Sequence, residues 1–278
     1  MEIARPRVAL TIAGSDSSGG AGIQADLKTF AAHAVYGVSA VTAVTAQSTT
    51  GVAWFQAMPA DLVTAQIEAV VSDIGVHAAK TGMLPTAAIV EAVAAAVVDL
   101  QIPLLVVDPV MVATSGDRLG DDEAVAAMKA ELVRRALVVT PNIREAEALA
   151  DMAIATNEDR RTAARRIAAL GATAVIVKGG HVDASEIVDL LYDGDRFVEF
   201  RTSRVPGSAT HGTGCTFSAA LAAHLARGTR LVDAVPLVQQ YVAGAIRSAP
   251  GLGRGHGPME HFWNRSERSD RSDGSDRS

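Results

Sequence analysis

Short apolar runs alternate with alanine-rich amphipathic runs along most of this chain, and that alternation limits the folds it can adopt. Continuous apolar strands separated by helices are typical of a mostly parallel sheet with helices on both faces. The pattern predicts strands at Val8–Ala13, Ser39–Val44, Ala79–Thr81, Leu104–Val107, Leu137–Thr140 and Ala174–Val177. It predicts helices at Gly22–Ala34, Pro59–Ser72, Thr86–Asp99, Asp121–Arg135, Ile143–Ala150, Asn157–Leu170, Thr213–Ala226 and Leu231–Ser248. We therefore expect an α/β fold.

Three segments fall outside that alternation. Leu190–Phe197 predicts a hairpin that adds antiparallel strands at one sheet edge, because Asp193-Gly194 suits a tight hairpin turn. Val52–Met58 predicts an edge or flap strand. From Asn264 the sequence is rich in Arg, Ser and Asp and contains no apolar residue, a composition typical of disorder. We expect one folded domain over residues 1–263 and a disordered tail over residues 264–278.

Composition argues against several classes of function. The 278-residue chain has a net charge of −6 at pH 7, so neither nucleic acid nor an anionic membrane surface is an expected partner. Its apolar runs are interrupted well before the length of a membrane span. Its single cysteine cannot form an internal disulfide and suits a reducing compartment. The first residues show no signal-peptide pattern. These features predict a soluble cytoplasmic protein.

Polar residues and glycines follow every predicted strand. In a sheet of this kind, ligands bind outside the carboxyl ends of the strands. The segments that stand there are Gly14–Gly22, Ala46–Ser48, Gly82-Met83, Asp108–Met111, Pro141–Glu145 and Lys178–His181. Their concentration at one end of the sheet predicts a ligand site more strongly than any single motif does.

The only cysteine stands in His211-Gly212-Thr213-Gly214-Cys215-Thr216, at the predicted start of a helix. Glycines let the backbone turn sharply, and the first amides of a helix have no partner within it. An anion such as a phosphate group is well placed there. The same position predicts a lowered pKa for the Cys215 thiol, which would make it a candidate general base. The alternative is that Cys215 is a small buried hydrophobic residue.

The glycine loop, Gly14–Gly22, does not fit the common nucleotide-binding motifs. Gly14 and Gly19 have the spacing of a P-loop, but Gly20-Ala21 stands where Lys-Ser/Thr is required. No acidic residue lies near position 42 to hold a ribose, which argues against dinucleotide binding. Two interpretations stay open. The segment is either a flexible strand–helix turn or a loop that folds closely over a small substrate, with Asp26 one helical turn further on.

Three groups near the later strand ends each admit a structural and a functional interpretation. Asn142-x-x-Glu145 is either a simple helix cap or a motif that places Glu145 at a Mg²⁺ ion, directly or through water. Asp108 is either a turn residue or a second acidic group near that metal. Lys178 is either a surface lysine or a cation that reaches phosphate.

Taken together, these segments resemble those of the hydroxymethylpyrimidine/phosphomethylpyrimidine kinases of thiamine biosynthesis, in the ribokinase-like superfamily. They occur in family order over nearly the whole chain, as far as about Trp263. The matching segments are Leu10–Asp16, Gly19–Phe30, Thr45–Gln47, Lys80–Leu84, Asp108–Met111, Ser115–Asp117, Thr140–Asn142, Lys178–His181, His211–Cys215 and Gly255–Pro258. The resemblance implies a ribokinase-like α/β/α sandwich with a central, mostly parallel sheet and a small antiparallel edge. It also implies ATP, Mg²⁺ and, commonly, a homodimer.

The resemblance implies roles for individual residues as well. Gln47 would hydrogen-bond the edge of an aminopyrimidine through its amide, which both donates and accepts. Cys215 stands where related sugar kinases have an aspartate, and it is the candidate base for the acceptor hydroxyl. The residues that would line the substrate pocket are Gly14, Ala21, Asp26, Met83 and Val110. Those that would serve the nucleotide phosphates and the metal are Asn142, Glu145 and Lys178, and those that would form the anion hole are Gly212, Thr213 and Gly214.

The implied reaction is two phosphoryl transfers in one pocket, from ATP to the hydroxymethyl oxygen of 4-amino-5-hydroxymethyl-2-methylpyrimidine and then to the resulting monophosphate. Two alternatives stay open: a pyridoxal kinase, whose substrate has a similar ring and hydroxymethyl group, and a catalytically silent pyrimidine-binding protein. The sequence departs from the family at Thr81, where isoleucine is common, and at Ser17, where proline is common. Ser17 predicts a less rigid glycine loop than proline would give.

Overall fold

A computed structural model describes residues 5–111, 116–117, 119–179, 185–207 and 209–264. Some predicted features therefore lie outside the described residues. They are the tail beyond Asn264, Gly180-His181 after the sixth predicted strand, and Ser115 in one of the family-like segments.

Ten strands are present in the described ranges, and eight of them form one sheet. They are β1 (Val8–Ala13), β2 (Tyr36–Val41), β3 (Ala43–Ser48), β4 (Gly51–Ala57), β5 (Ala78–Thr81), β6 (Leu105–Val107), β7 (Val138–Val139), β8 (Ala174–Val177), β9 (Glu186–Tyr192) and β10 (Phe197–Ser203). The order in the main sheet is β10-β9-β8-β7-β6-β5-β1-β2; β9 pairs antiparallel with both β8 and β10, and the other neighbours are parallel. β3 and β4 form a separate antiparallel pair, which we call the flap. The predicted hairpin and mostly parallel sheet are confirmed.

The helices cover the predicted segments, with one internal change. They are α1 (Gly22–Ala32), α2 (Ala60–Asp73), α3 (Ala87–Asp99), α4 (Asp122–Ala127), α5 (Ile143–Ala150), α6 (Asn157–Ala169), α7 (Thr213–Ala226) and α8 (Leu231–Arg247). The predicted single helix Asp121–Arg135 is wrong, because α4 passes into a π-helical turn at Met128–Leu132 and a short 3₁₀ turn. The wider turn holds Met128 and Leu132 in the core. Within the described ranges, every helix is too short or too polar to cross a bilayer.

Alternate residues of the central strands face two separate apolar layers. On β6, Leu105 and Val107 pack with residues of α2 to α6, whereas Val106 packs with residues of α1, α7 and α8. Successive side chains of a strand point to opposite faces of its sheet, so a buried strand reads as apolar throughout. Both faces of the sheet are covered by helices, and the predicted α/β/α sandwich is confirmed.

The predicted second strand, Ser39–Val44, is wrong because the chain changes sheets at Thr42. Thr42 is fully buried, and its hydroxyl donates to the Met83 carbonyl oxygen at 2.6 Å. Its N–H donates to the Ala13 carbonyl oxygen at 3.0 Å. Thr42 thus still bonds β1 through its N–H, and beyond it the chain passes into the flap. Gln47, expected just after a strand of the main sheet, lies within the flap instead.

Candidate active site

The glycine loop and the start of α7 meet beyond the carboxyl end of β1. Gly212 has a φ of 76°, and a Cβ atom there would lie 2.0 Å from the Gly20 carbonyl oxygen. A Cβ atom at Gly20 would in turn lie 2.5 Å from the His211 ring. Glycine alone permits so close an approach of the two backbones. Two segments that are far apart in sequence therefore form one site.

The first turn of α7 is an open helix N-terminus. Thr213, Gly214 and Cys215 are half-buried, and the turn contains no acidic residue in the described structure. The Thr213 hydroxyl donates to the Thr210 carbonyl oxygen at 2.6 Å, which holds the turn in place. The first amides of a helix lack intrahelical acceptors and carry the positive end of its dipole. This geometry suits the predicted anion hole at Gly212, Thr213 and Gly214, which we call the anion cradle.

Asp16 organises the glycine loop, a role that the sequence analysis missed. Its carboxylate accepts hydrogen bonds from the backbone N–H groups of Ser18, Gly20 and Ala21 at 2.8, 3.0 and 2.7 Å. It also accepts a 2.8 Å hydrogen bond from His211 Nε2. Burial opposes ionisation, but the hydrogen bonds, led by that from His211, lower the pKa of Asp16 to about 2. A charged carboxylate therefore orders the loop and joins it to the segment before α7.

Lys178 and Asp108 form an ion pair beside the anion cradle. Lys178 Nζ lies 3.0 Å from Asp108 Oδ1, and the Ser218 hydroxyl donates to Asp108 Oδ2 at 3.0 Å. Burial opposes both charges. Lys178 nevertheless lowers the pKa of Asp108, and Asp108 raises the pKa of Lys178. A Cβ atom at Gly214 would lie 3.3 Å from Lys178 Nζ, so a cation stands next to the anion cradle.

Asn142 and Glu145 form the predicted helix cap, and the cap places a buried carboxylate near that ion pair. Asn142 Oδ1 accepts from the Glu145 N–H at 3.0 Å, and Glu145 Oε2 accepts from the Asn142 N–H at 2.8 Å. Burial raises the pKa of Glu145 to about 7, with Lys178 opposing this rise and the charge of Asp108 adding to it. Glu145 therefore lies within electrostatic range of both Lys178 and Asp108.

The acidic groups fit a Mg²⁺ ion that is shared with a substrate better than one held by protein alone. In the part of the chain that the structure describes, no three His, Cys, Asp or Glu side chains are grouped so that they could hold a metal ion. Mg²⁺ commonly takes one or two carboxylates, keeps several waters and shares phosphate oxygens. Glu145 suits such a site because the positive charge of Lys178 only partly offsets the cost of burying its carboxylate. Asp108 suits contact through water, since both its oxygens already accept hydrogen bonds.

The prediction of a lowered thiol pKa at Cys215 is wrong. Burial raises the pKa of Cys215 to about 11, and Asp26 and Asp108 reinforce that effect. Lys80 and the Gly22 N–H act in the opposite direction and are outweighed. A thiol with this pKa is ionised in about one molecule in ten thousand at pH 7. The helix N-terminus therefore does not make Cys215 a thiolate at neutral pH.

Asp26 lies beneath the site and has no exposed surface, which corrects its predicted place in the pocket wall. Asp26 and Lys80 are fully buried and form an ion pair, with Lys80 Nζ 2.9 Å from Asp26 Oδ2. The Thr11 hydroxyl donates to the same carboxylate at 2.6 Å. Burial raises the pKa of Asp26, whereas Asp26 raises the pKa of Lys80 against the effect of burial. Lys80 is a buried cation that the sequence analysis left out of the site.

A small apolar cluster lies between the flap and the ends of β5 and β6. Its members are Ala43, Val52, Phe55, Met83, Val110 and Leu119. Gly14 borders the cluster, since a Cβ atom there would lie 3.0 Å from Met83 Sδ. The structure thus brings Gly14, Met83 and Val110 together. It adds Val52 and Phe55, which sequence analysis missed because an exposed flap strand has no regular apolar pattern.

Gln47 lies on β3, between that cluster and the start of α7. Its Nε2 atom lies 3.5 Å from His211 Nε2, and its Oε1 atom lies 3.4 Å from the Thr45 hydroxyl oxygen. His211 Nε2 donates to Asp16 and the Thr45 hydroxyl donates to the nearer Ser15 carbonyl oxygen, so the amide retains its capacity to pair with a ligand. Ala21, the N-cap of α1, is half-buried, and its backbone N–H is held by Asp16.

Comparison with known proteins identifies the family. The model of the phosphomethylpyrimidine kinase family matches residues 16–260. A hydroxymethylpyrimidine/phosphomethylpyrimidine kinase of Rhizobium meliloti is 49% identical over 258 residues, which are 92% of this chain and 97% of that protein. The thiamine biosynthesis bifunctional protein ThiED of Geobacter sulfurreducens is 48% identical over 262 residues, or 94% of this chain. This chain spans only 54% of that longer protein.

A solved structure shows the same fold at similar length. The ADP complex of Bacillus subtilis pyridoxal kinase matches with a TM-score of 0.87 and 39% sequence identity, over 94% of this chain and 99% of that one. The sequence-based assignment to a family of phosphotransferases is confirmed by these matches. With a family model that covers most of its length and relatives at nearly half identity, this chain belongs to the phosphomethylpyrimidine kinase family.

Proposed function

We propose that this protein transfers the γ-phosphoryl group of ATP to hydroxymethylpyrimidine and then transfers a second one to the resulting monophosphate, in thiamine biosynthesis. One observation carries the proposal: the anion cradle lies beside the cation Lys178, and His211, the residue before the cradle, lies 3.5 Å from the amide of Gln47. Transfer of a phosphoryl group needs amide donors and a cation, and the edge of an aminopyrimidine needs an amide that both donates and accepts. The name of the Rhizobium meliloti relative supports this substrate.

The chemistry that this arrangement suits is an in-line transfer. The acceptor oxygen attacks the γ-phosphorus, the bond from that phosphorus to the bridging oxygen breaks, and ADP leaves. The amides of the anion cradle and Lys178 Nζ stabilise the charge that spreads over the transferred oxygens, which is the main source of rate in such reactions. Glu145, with Asp108 through water, would hold a Mg²⁺ ion, which offsets the charge of the nucleotide phosphates when bound.

Cys215 is the proposed base for the first transfer, and its removal should separate the two reactions. Cys215→Ala should slow phosphorylation of hydroxymethylpyrimidine by about 100-fold or more and leave that of the monophosphate within about threefold, because only the neutral alcohol needs a base. Since the thiol pKa is about 11, the first transfer in the wild-type protein should also accelerate as pH rises from about 7 to about 9. ADP release with each acceptor measures both effects.

Cys215→Ser is the matched control for the base role. Serine preserves the size of the side chain and a polar hydrogen, but its hydroxyl does not ionise in the range of a thiol. It should therefore impair the first transfer as strongly as alanine does. Equal loss of both transfers in either variant would reject the base role and assign Cys215 to the anion cradle or to packing.

Glu145 is the proposed carboxylate for Mg²⁺, and its charge should determine how much Mg²⁺ the reaction needs. Glu145→Gln should raise the Mg²⁺ concentration for half-maximal activity by about 10-fold or more in both transfers. Glu147→Gln is the control, because Glu147 lies on the same helix and its carboxylate accepts from the Ile154 N–H at 2.8 Å, away from Lys178. If Glu145→Gln and Glu147→Gln need the same Mg²⁺ concentration for half-maximal activity, the metal binds elsewhere.

Pyridoxal is the second candidate acceptor, because the fold matches that of Bacillus subtilis pyridoxal kinase with a TM-score of 0.87. Sequence identity favours the first candidate, with 49% to the Rhizobium meliloti pyrimidine kinase against 39% to the pyridoxal kinase. The deciding measurement is ADP release with hydroxymethylpyrimidine, its monophosphate and pyridoxal added separately. Faster turnover of both pyrimidines supports the proposal. Turnover mainly of pyridoxal, or none with any acceptor, overturns it in favour of a pyridoxal kinase or a silent binding protein.

We further propose that the protein is a cytoplasmic homodimer. Val44 and Trp54 of the flap and Tyr36 at the edge of the main sheet expose apolar surface that a second copy could cover. The single cysteine suits a reducing compartment. Sedimentation equilibrium should give twice the chain mass, and the mass of one chain at all protein concentrations would overturn the dimer.

A further inference from the structure

The glycine loop runs along one edge of the flap strand β3. The Ser15 N–H donates to the Ala43 carbonyl oxygen at 2.8 Å, and the Thr45 hydroxyl donates to the Ser15 carbonyl oxygen at 2.8 Å. Two residues further along β3, the Gln47 N–H donates to the Ser17 hydroxyl at 2.8 Å. Alternate residues of a strand direct their backbone polar groups to the same edge. The glycine loop therefore occupies the edge of β3 that a third flap strand would otherwise use.

Ser17 makes the last contact of this edge, and it engages both backbone polar groups of one residue. Its hydroxyl accepts from the Gln47 N–H at 2.8 Å and donates to the Gln47 carbonyl oxygen at 2.7 Å. The register of the flap shifts between Ala46 and Gln47, so the pairing of β3 with β4 is irregular at this point. Ser17 thus holds the Gln47 backbone where the flap's own hydrogen bonding is disturbed.

The same contact ties the flap to the rest of the site. Ser17 directly follows Asp16, whose carboxylate accepts a hydrogen bond from His211, the residue before the anion cradle. The expectation that Ser17 makes the glycine loop less rigid than proline would stays a prediction, but the hydroxyl supplies two hydrogen bonds that a proline side chain cannot make. The glycine loop is a direct bridge between Gln47 and the start of α7.

We propose that Ser17 is a positioning residue that sets the direction of the Gln47 amide toward the pyrimidine, an inference that rests on the function proposed above for Gln47. Ser17 is exposed and acts through the backbone from which the Gln47 side chain projects. Within the described residues, the contacts of the amide itself are long, 3.5 Å to His211 and 3.4 Å to Thr45. Its position relative to a substrate therefore depends chiefly on the backbone that Ser17 holds.

The test compares three variants at two exposed serines, Ser17 in the glycine loop and Ser48 in the flap. Ser17→Ala removes both hydrogen bonds and should raise KM for hydroxymethylpyrimidine about 3- to 10-fold, with KM for ATP and kcat within about twofold. Ser17→Thr retains a hydroxyl and should restore KM. Ser48→Ala is the control, because Ser48 is exposed on the same strand as Gln47 and its hydroxyl bonds Thr50 in the hairpin turn. It should leave all three constants unchanged.

Two further measurements distinguish failure of this inference from failure of the proposed function. The Gln47 backbone amide should exchange faster with solvent in Ser17→Ala than in the wild type, as followed by NMR. Gln47→Ala should raise KM for hydroxymethylpyrimidine at least as much as Ser17→Ala does. If Gln47→Ala raises KM and Ser17→Ala does not, the positioning role alone is overturned. If neither variant raises KM, Gln47 is not the pyrimidine contact and the positioning role fails with it. The proposed function itself fails only if the wild-type protein does not turn over hydroxymethylpyrimidine.

A purely structural role for Ser17 would give a different pattern. Loss of the loop's fold would lower kcat and raise KM for both substrates together, because the glycine loop also borders the anion cradle. That pattern, without recovery in Ser17→Thr, would overturn the positioning role.

Discussion

Replacing Gly212 by alanine should lower kcat/KM by about 100- to 1,000-fold for both pyrimidine acceptors. A Cβ atom at this position would lie 2.0 Å from the Gly20 carbonyl oxygen, a backbone atom that cannot rotate away. Either the glycine loop or the first turn of α7 must therefore shift, and the amides of the anion cradle shift with it. Both transfers should suffer, because each uses the same anion cradle. Steady-state kinetics with hydroxymethylpyrimidine and with its monophosphate measure the loss.

Gly228→Ala separates this clash from the strain of a left-handed backbone. Gly228 follows α7 at its other end with a φ of 85°, and among the described residues nothing lies within 4 Å of a Cβ atom built there. Both variants incur the left-handed strain of about 1–2 kcal/mol, so the melting temperature of each should fall. Only Gly212→Ala should lose activity. If Gly212→Ala retained activity within about threefold of Gly228→Ala, the first turn of α7 would not be the anion cradle.

Replacing Lys80 by methionine should reduce the free energy of unfolding by about 3–5 kcal/mol at neutral pH, because Asp26 is left buried without its cation. The double variant Lys80→Met with Asp26→Asn removes both charges and should recover most of the loss. Lys129→Met is the control for the same substitution at an accessible ion pair, since its partner Asp151 is largely exposed. Lys129→Met should lower the free energy of unfolding by less than about 1 kcal/mol. Urea unfolding curves measure all three values.

The loss in Lys80→Met should be smaller at acid pH. Burial raises the pKa of Asp26 even beside Lys80, and removal of the lysine raises it further. A carboxyl group with a higher pKa in the folded state leaves stability intact below its unfolded pKa and reduces it as pH rises through the folded pKa. The difference from the wild type should therefore be greater at about pH 7 than at about pH 5. An equal loss at both pH values, or no recovery in the double variant, would show that an unpaired Asp26 charge is not its cause.

The regular elements could be predicted from short stretches of sequence, since their signals are local. β1 and β8 have the predicted bounds, and Asn142 and Glu145 form the predicted cap, because the two partners of a cap lie within one helical turn. The resemblance to a kinase family also depended on contiguous motifs, and the comparisons confirmed it. The exchange of sheets at Thr42 was missed, because the sequence stays apolar across the point where a buried hydroxyl turns the chain.

Charge and burial within the site could not be predicted in the same way. Sequence placed Cys215 at a helix N-terminus, which predicted a lowered pKa, but burial and the carboxylates of Asp26 and Asp108 raise it. The bond between Asp16 and His211 joins residues 195 positions apart, and no periodicity indicates such a pair. Local patterns thus determined the elements and the end of the sheet that carries the site. Which charges are buried, paired or neutral depended on tertiary packing, because electrostatic interaction and desolvation follow distance in space and not separation along the chain.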